Sequence, residues 1–141
     1  MKKIILIGLI GLFISTTSHA QKTEEKAVRH VIIAFSEAGD NNDSKKLSAY
    51  LDDNYRIVMN RLFGSEEVSI MSKSVYLEKI RAKEFGGDKR TVTIENLIIN
   101  GASAVAKVVF KGEKMTFISL ITLIKDKNGK WKLVSEIPIV S

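Results

Sequence analysis

TVTIENLIIN GASAVAKVVF KGEKMTFISL ITLIKDKNGK WKLVSEIPIV, residues 91–140, is the stretch whose reading decides the fold. Thr91 to Ile99 is rich in β-branched residues, which suit a pleated, half-buried surface. Asn100-Gly101 is a two-residue hairpin signal. The next segment alternates: Ala104, Ala106, Val108 and Phe110 on one face, Ser103, Lys107 and Lys111 on the other. Gly112-Glu113 turns the chain into Met115 to Ile124, which is apolar on both faces. Asp126 to Gly129 turns it again, into a last strand from Trp131 to Val140. This half of the chain reads as an antiparallel meander of long strands. The doubly apolar strand needs cover on both faces. One cover is the rest of the chain, and the other is expected to be a second copy, in a homodimer through the sheet.

Upstream, the period changes to that of helices. Ala27, Val31, Phe35 and Ala38 recur at helical spacing, with Val28 and Ile32 widening the stripe. Thr23 is placed to cap this helix, with Glu24 and Glu25 in the first turn where the dipole favours acids. Gly39 ends it, and Asp40-Asn41-Asn42 makes a turn. Ser44 or Asp43 caps a shorter helix with Leu47, Tyr50 and Leu51 facing inward. Tyr55 to Asn60 reads as a strand, followed by a short strand over Val68 to Met71. Ser72 then caps a third helix, with Tyr76, Leu77 and Ile80 on its inner face, running out at Phe85-Gly86-Gly87. Helices first and a meander afterwards predict an α+β domain with about three helices on one sheet face.

The N-terminus has a different character. Met1-Lys2-Lys3 is positive, Ile4 to Ile14 is an apolar run broken only by Gly8 and Gly11, and Ser15 to Ala20 is small and polar. That order is the plan of a secretory signal peptide, with the cut expected after Ala20. Residues 1–20 are therefore assigned to the leader and 21–141 to a single domain. The apolar run is shorter than the roughly 20 residues of a stable membrane anchor, so none is expected after cleavage. The residue after the cut is Gln21, where a lipoprotein needs Cys. The expected location is periplasmic or extracellular.

Composition narrows the chemistry. The chain has 22 Lys+Arg against 16 Asp+Glu, and losing Lys2 and Lys3 leaves 20 against 16. The basic residues are scattered among acids, which argues against nucleic-acid binding. The absence of Cys excludes thiol chemistry, disulfides and Cys-ligated metals. His30 is the one histidine of the mature domain, so no histidine-rich zinc site is available. No cofactor or metal is implied.

Three stretches carry a family likeness: Ala34-Phe35-Ser36-Glu37-Ala38-Gly39-Asp40, Ser74-Val75-Tyr76-Leu77-Glu78-Lys79-Ile80, and Asn128-Gly129-Lys130-Trp131-Lys132-Leu133-Val134. With the order of elements, they make the chain resemble the nuclear transport factor 2-like superfamily, and within it the exported bacterial lumazine-binding-like proteins. The resemblance implies a cone: a curved antiparallel sheet wrapped over helices, with a pocket at the open end. Members of that shape include steroid isomerases, dehydratases, polyketide cyclases and non-catalytic binding subunits, so the fold leaves function open.

A catalytic cone needs an ionisable group inside it. His30 falls off the apolar stripe and reads as a surface residue. Asp40 reads as a turn residue. Asp52 and Asp53 are adjacent and point apart, unlike carboxylates that share a proton. Ser119 and Ser135 sit in apolar strands with no evident acid or histidine beside them. The first strand offers more: Tyr55, Ile57, Met59 and Arg61 share one face, and Arg56, Val58 and Asn60 the other. Asn60 can donate and accept, and Arg61 can clamp an anion. Tyr50, Tyr76 and Trp131 can wall an aromatic pocket or fill the core. The ligand-pocket candidates are thus Tyr55, Asn60, Arg61, Tyr76 and Trp131, with no catalytic residue assigned. The expected function is binding of a small bicyclic or carbonyl-bearing ligand. The alternatives are an isomerase or dehydratase of the same fold and a non-catalytic homodimeric interaction module.

Overall fold

The computed structural model describes Ile14–Ser141. The order of elements is α1 (Ile14–Asp40), α2 (Ser44–Ala49), β1 (Leu51–Asn60), β2 (Val68–Ser72), α3 (Lys73–Arg81), β3 (Thr91–Asn100), β4 (Ser103–Lys111), β5 (Thr116–Lys125) and β6 (Trp131–Val140). A single 3-10 turn, Leu62–Gly64, joins β1 to β2. The strands form one curved, unclosed sheet in the order β2-β1-β6-β5-β4-β3, with the three helices packed on it. The three hairpins of residues 91–140 are antiparallel. The β1–β6 pairing is parallel and brings the two halves of the chain together.

The alternation read in β4 is the one observed: Ala104, Ala106, Val108 and Phe110 are all buried. They share a core with Val28, Ile32, Phe35 and Ala38 of α1. Phe35 is the hub, its ring edge-on to Phe110 at 6.2 Å and tilted against Tyr55 at 6.5 Å. Burying one such ring contributes about 1.5–3 kcal/mol.

The local signals mostly act as read. Asp43 caps α2 by accepting from the Lys46 N–H at 2.9 Å, and Ser72 caps α3 by accepting from Val75. The first hairpin differs in one respect. Asn100 pairs with Ser103, so its two loop residues are Gly101 and Ala102, and Gly101 takes the positive φ. Thr23 is not a cap in this chain, because α1 begins upstream of it and its hydroxyl donates to the His19 carbonyl at 3.0 Å. The assigned cut after Ala20 falls within α1, and the start of the leader, residues 1–13, lies outside the described residues. No helix among the described residues is long and apolar enough to cross a membrane.

Two one-residue β-bulges shape the antiparallel part of the sheet, and the parallel β1–β6 register also shifts, between Leu51 and Arg56. In β3, Ile94 faces Val108 while Asn96 faces Lys107, leaving Glu95 as an extra residue. In β6, Leu133 faces Leu123 while Ser135 faces Thr122, leaving Val134 extra. A bulge shifts the alternation by one residue and bends the strand. Before Val134 the inward residues are Trp131 and Leu133; after it they are Glu136 and Pro138.

Candidate functional site

That bulge turns a carboxylate into the interior. Glu136 is 8% exposed and lies at the buried end of a cavity of about 410 Å³. Tyr55 Oη donates to its Oε2 at 2.9 Å, and Ser119 Oγ donates to its Oε1 at 2.7 Å. Each carboxylate oxygen therefore has one fixed donor, and each retains capacity to accept another. A buried carboxylate is tolerated because it is hydrogen-bonded in this way.

Tyr76 reaches the same cavity from α3. Its ring lies 5.8 Å from that of Tyr55. Among the described residues its hydroxyl has no hydrogen-bond partner, so it is a donor free to meet a ligand. Burial, and then the charge of Glu136, push both tyrosine hydroxyls up from the ordinary phenol value. Both stay protonated at neutral pH. The cavity thus presents an acceptor, Glu136, and a donor, Tyr76, at its inner end. Phe35, Ile57, Phe85 and Phe117 supply apolar wall.

Arg90 also lines the cavity, but it is committed to the scaffold. Its Nε donates to Asp40 Oδ1 at 2.6 Å, its backbone N–H to Oδ2 at 2.9 Å, and a terminal nitrogen to the Ser36 carbonyl at 3.2 Å. Its guanidinium sits 5.1 Å from the centre of the Phe110 ring. This ties the end of α1 to the start of β3. Asp40 is thus more than a turn residue.

The five candidates from the sequence separate. Tyr76 lines the cavity, and Tyr55 acts on it through Glu136. Asn60 and Arg61 are exposed and are not among the lining residues. Asn60 belongs to the outward face of β1. Arg61 leaves the strand at φ 53°, so strand alternation no longer aims its side chain, and the next two residues, Leu62 and Phe63, reach the cavity instead. Trp131 is buried at a different place, where its Nε1 donates to Glu24 Oε2 at 2.7 Å and Lys125 stands 5.3 Å over its ring. His30 is exposed, as its position on the helix implies.

The expectation that no acid stands beside Ser119 is corrected by Glu136. Simple alternation from Trp131 and Leu133 puts residue 136 outside. The available signal is a lone acid between apolar residues near the end of a strand, in Val134-Ser135-Glu136-Ile137-Pro138.

A family model described as "Putative lumazine-binding" matches residues 23–137. The chain belongs to that family. Solved structures described as nuclear transport factor 2-like share the fold of this lumazine-binding-like domain. It is similar to a nuclear transport factor 2-like protein of unknown function from Silicibacter pomeroyi DSS-3, with TM-score 0.75, 16% identity, and 86% of this chain and 98% of that one covered. One from Shewanella baltica OS155 gives TM-score 0.73, 20% identity and coverages of 84% and 94%. A ketosteroid isomerase-like protein from Erwinia carotovora atroseptica SCRI1043 gives TM-score 0.64, 13% identity and coverages of 82% and 94%. No curated protein matches the chain. At these identities the structures speak for the lumazine-binding-like domain's fold alone.

Proposed function

We propose that this domain binds a flat, polar-edged small molecule in the cavity that ends at Glu136. The carrying observation is the carboxylate itself: buried, oriented by Tyr55 and Ser119, and facing a largely apolar space with the free Tyr76 hydroxyl. An N–H next to a carbonyl on a heteroaromatic ring answers both groups, the N–H donating to Glu136 and the carbonyl accepting from Tyr76. The family description is in keeping with such a ligand. The test is thermal stability of the domain from Gln21 against pteridines, flavins, steroids and small carboxylic acids. A ligand that binds only the folded state adds about 2.7 kcal/mol at a hundred times its Kd. The expected shift is lost in Glu136→Gln. No shift from any compound rejects the reading.

The same pair of groups supports a second reading, an isomerase acting on a carbonyl compound. Glu136 would take a proton from the carbon next to the carbonyl, the electron pair would pass to the carbonyl oxygen with Tyr76 hydrogen-bonding it, and Glu136 would return the proton to another carbon of the enolate as the carbonyl re-forms. Binding is preferred because both Glu136 oxygens already hold hydroxyl donors. Deuterium exchange into a bound carbonyl compound, absent in Glu136→Gln, would favour catalysis.

Export and pairing belong to the same proposal. The charged, apolar and small segments of residues 1–20 support removal of a leader, which mass measurement of the exported product tests by a start at Gln21. The outer sheet face exposes Ile98, Val105, Leu120, Ile137 and Ile139. Register joins them across β3 to β6, with Ile98 opposite Val105 and Leu120 opposite Ile137. This face would be covered by a second copy. Light scattering that finds a monomer at high concentration, unchanged in Leu120→Lys, would count against the dimer.

A further inference from the structure

The cavity lining contains six ionisable side chains besides Tyr76: Lys83, Glu84, Asp88, Arg90, Lys114 and Glu136. Their partners separate them into two sets. Arg90 is held by Asp40 at 2.6 Å, and Glu84 by Lys79 at 2.7 Å. Asp88 accepts the backbone N–H groups of Glu113 and Lys114, both at 3.1 Å, which closes the turn between β4 and β5. Asp88 keeps its charge, which Lys114 feels, so the rim carries two exposed lysines, Lys83 and Lys114, against one unpaired acid, while Glu136 is the charge at the buried end. Among the described residues neither lysine forms an ion pair.

The two lysines come from separate elements that are each anchored. Lys83 follows α3 in a left-handed turn at φ 59°, its N–H donating to the Ile80 carbonyl at 3.1 Å. Lys114 sits in the turn that Asp88 holds from the side. Their backbones are set while their ammonium groups are unpaired. The wall they share with Glu136 includes Phe63, Phe85, Met115 and Phe117. The cavity is therefore negative at its buried end, apolar in between and, with two lysines against Asp88, net positive at its rim.

We infer that the ligand of this cavity carries an anionic substituent at the end opposite its hydrogen-bond-donor edge, with the donors on Glu136 and the anion between Lys83 and Lys114. This rests on the ligand-binding reading above and adds the charge pattern of the molecule. A neutral or cationic outer end would leave the second positive charge of the rim unanswered, since Asp88 offsets only one, and a molecule anionic throughout would be repelled by Glu136.

The test is calorimetric titration at low salt with matched pairs of flat heteroaromatic amines that differ in one anion: pterin-6-carboxylate with 6-methylpterin, and 5-aminoindole-2-carboxylate with 5-aminoindole. Partly exposed ion pairs are worth modest energies, so the acid of a pair should bind about tenfold tighter than its neutral partner. That preference should shrink as salt rises, because rim charges are screened. The Lys83→Ala/Lys114→Ala double variant should reduce it below about twofold without changing affinity for the neutral member. Both lysines are exposed, so the fold should be undisturbed, and an unchanged Tm checks this. Glu136→Gln should weaken both members of a pair alike. Equal wild-type affinities within each pair, both lost in Glu136→Gln, would overturn the anionic end and leave the binding site standing. Absence of binding by all four compounds at about 1 mM, weaker than roughly 4 kcal/mol of affinity, would overturn both.

Discussion

Replacing Tyr55 by Phe removes one oxygen atom and little else. The residue is 1% exposed, and its ring packs against Phe35 and Tyr76. Phenylalanine keeps that packing. What goes is the 2.9 Å hydrogen bond to Glu136 Oε2. Hydrogen bonds to charged groups contribute about 1.5–3 kcal/mol net. The variant leaves no orphan donor, because the hydroxyl itself is gone. The orphan is Oε2 of a residue that lines the cavity, where a water can take the place of the hydroxyl. The cost should therefore fall near the lower end, about 2 kcal/mol. Tyr76→Phe is the control, since its hydroxyl has no partner among the described residues and should change stability by less than about 0.5 kcal/mol. Urea unfolding reads the difference. With a slope of about 1.3 kcal/mol per molar, Tyr55→Phe should lower the midpoint by about 1.5 M at constant slope, and Tyr76→Phe should leave it in place. Equal losses in the two variants, or a Tyr55→Phe cost under about 0.5 kcal/mol, would refute the account of Glu136 as a carboxylate held by Tyr55.

Four further outcomes follow from the structure. Burial, then the charge of Glu136, raises both buried tyrosines, so the folded state holds their protons where the unfolded chain releases them. Their contribution is complete below about pH 10 and is lost as pH rises above it, so stability measured against pH should fall less steeply there in Tyr55→Phe than in wild type. Gly86→Ala should cost about 3 kcal/mol or more in urea unfolding, because an added Cβ would lie 2.2 Å from the Gly39 carbonyl oxygen at a φ of 77°. Gly101→Ala, at φ 58° with open space around it, should cost only about 1 kcal/mol. Glu24 is held below the usual carboxylate range by its hydrogen bonds from Lys125 first and Trp131 second. Its contribution is present above that range and lost as pH falls through the lowered value, so Trp131 emission should change in acid and Glu24→Gln should abolish that step.

The elements were readable from local sequence because their causes are local. Alternation in Ala104 to Phe110, the cap at Ser72 and the apolar stripe of Val28, Ile32 and Phe35 depend on near neighbours. These patterns, and the family likeness carried by three short stretches, were enough for an α+β cone and for an inward Tyr76, but not for which face of β1, that of Tyr55 or that of Asn60, points inward. The site was less readable, because its main residue depends on parity set at a distance. Val134 is an extra residue only relative to β5, and without that pairing Glu136 counts as an outward residue. Asn60 and Arg61 went the other way: strand spacing alone gave them polar roles at the cone, but Asn60 faces outward and the chain leaves the strand at Arg61. Trp131, read as either pocket wall or core, is buried away from the cavity, and its indole N–H meets Glu24, 107 residues away in the chain. Periodicity assigned faces within each strand; only the assembled sheet, through a one-residue bulge and a parallel β1–β6 contact, decided which charged side chain the interior would receive. A strand's alternation is local, but its register belongs to its neighbours.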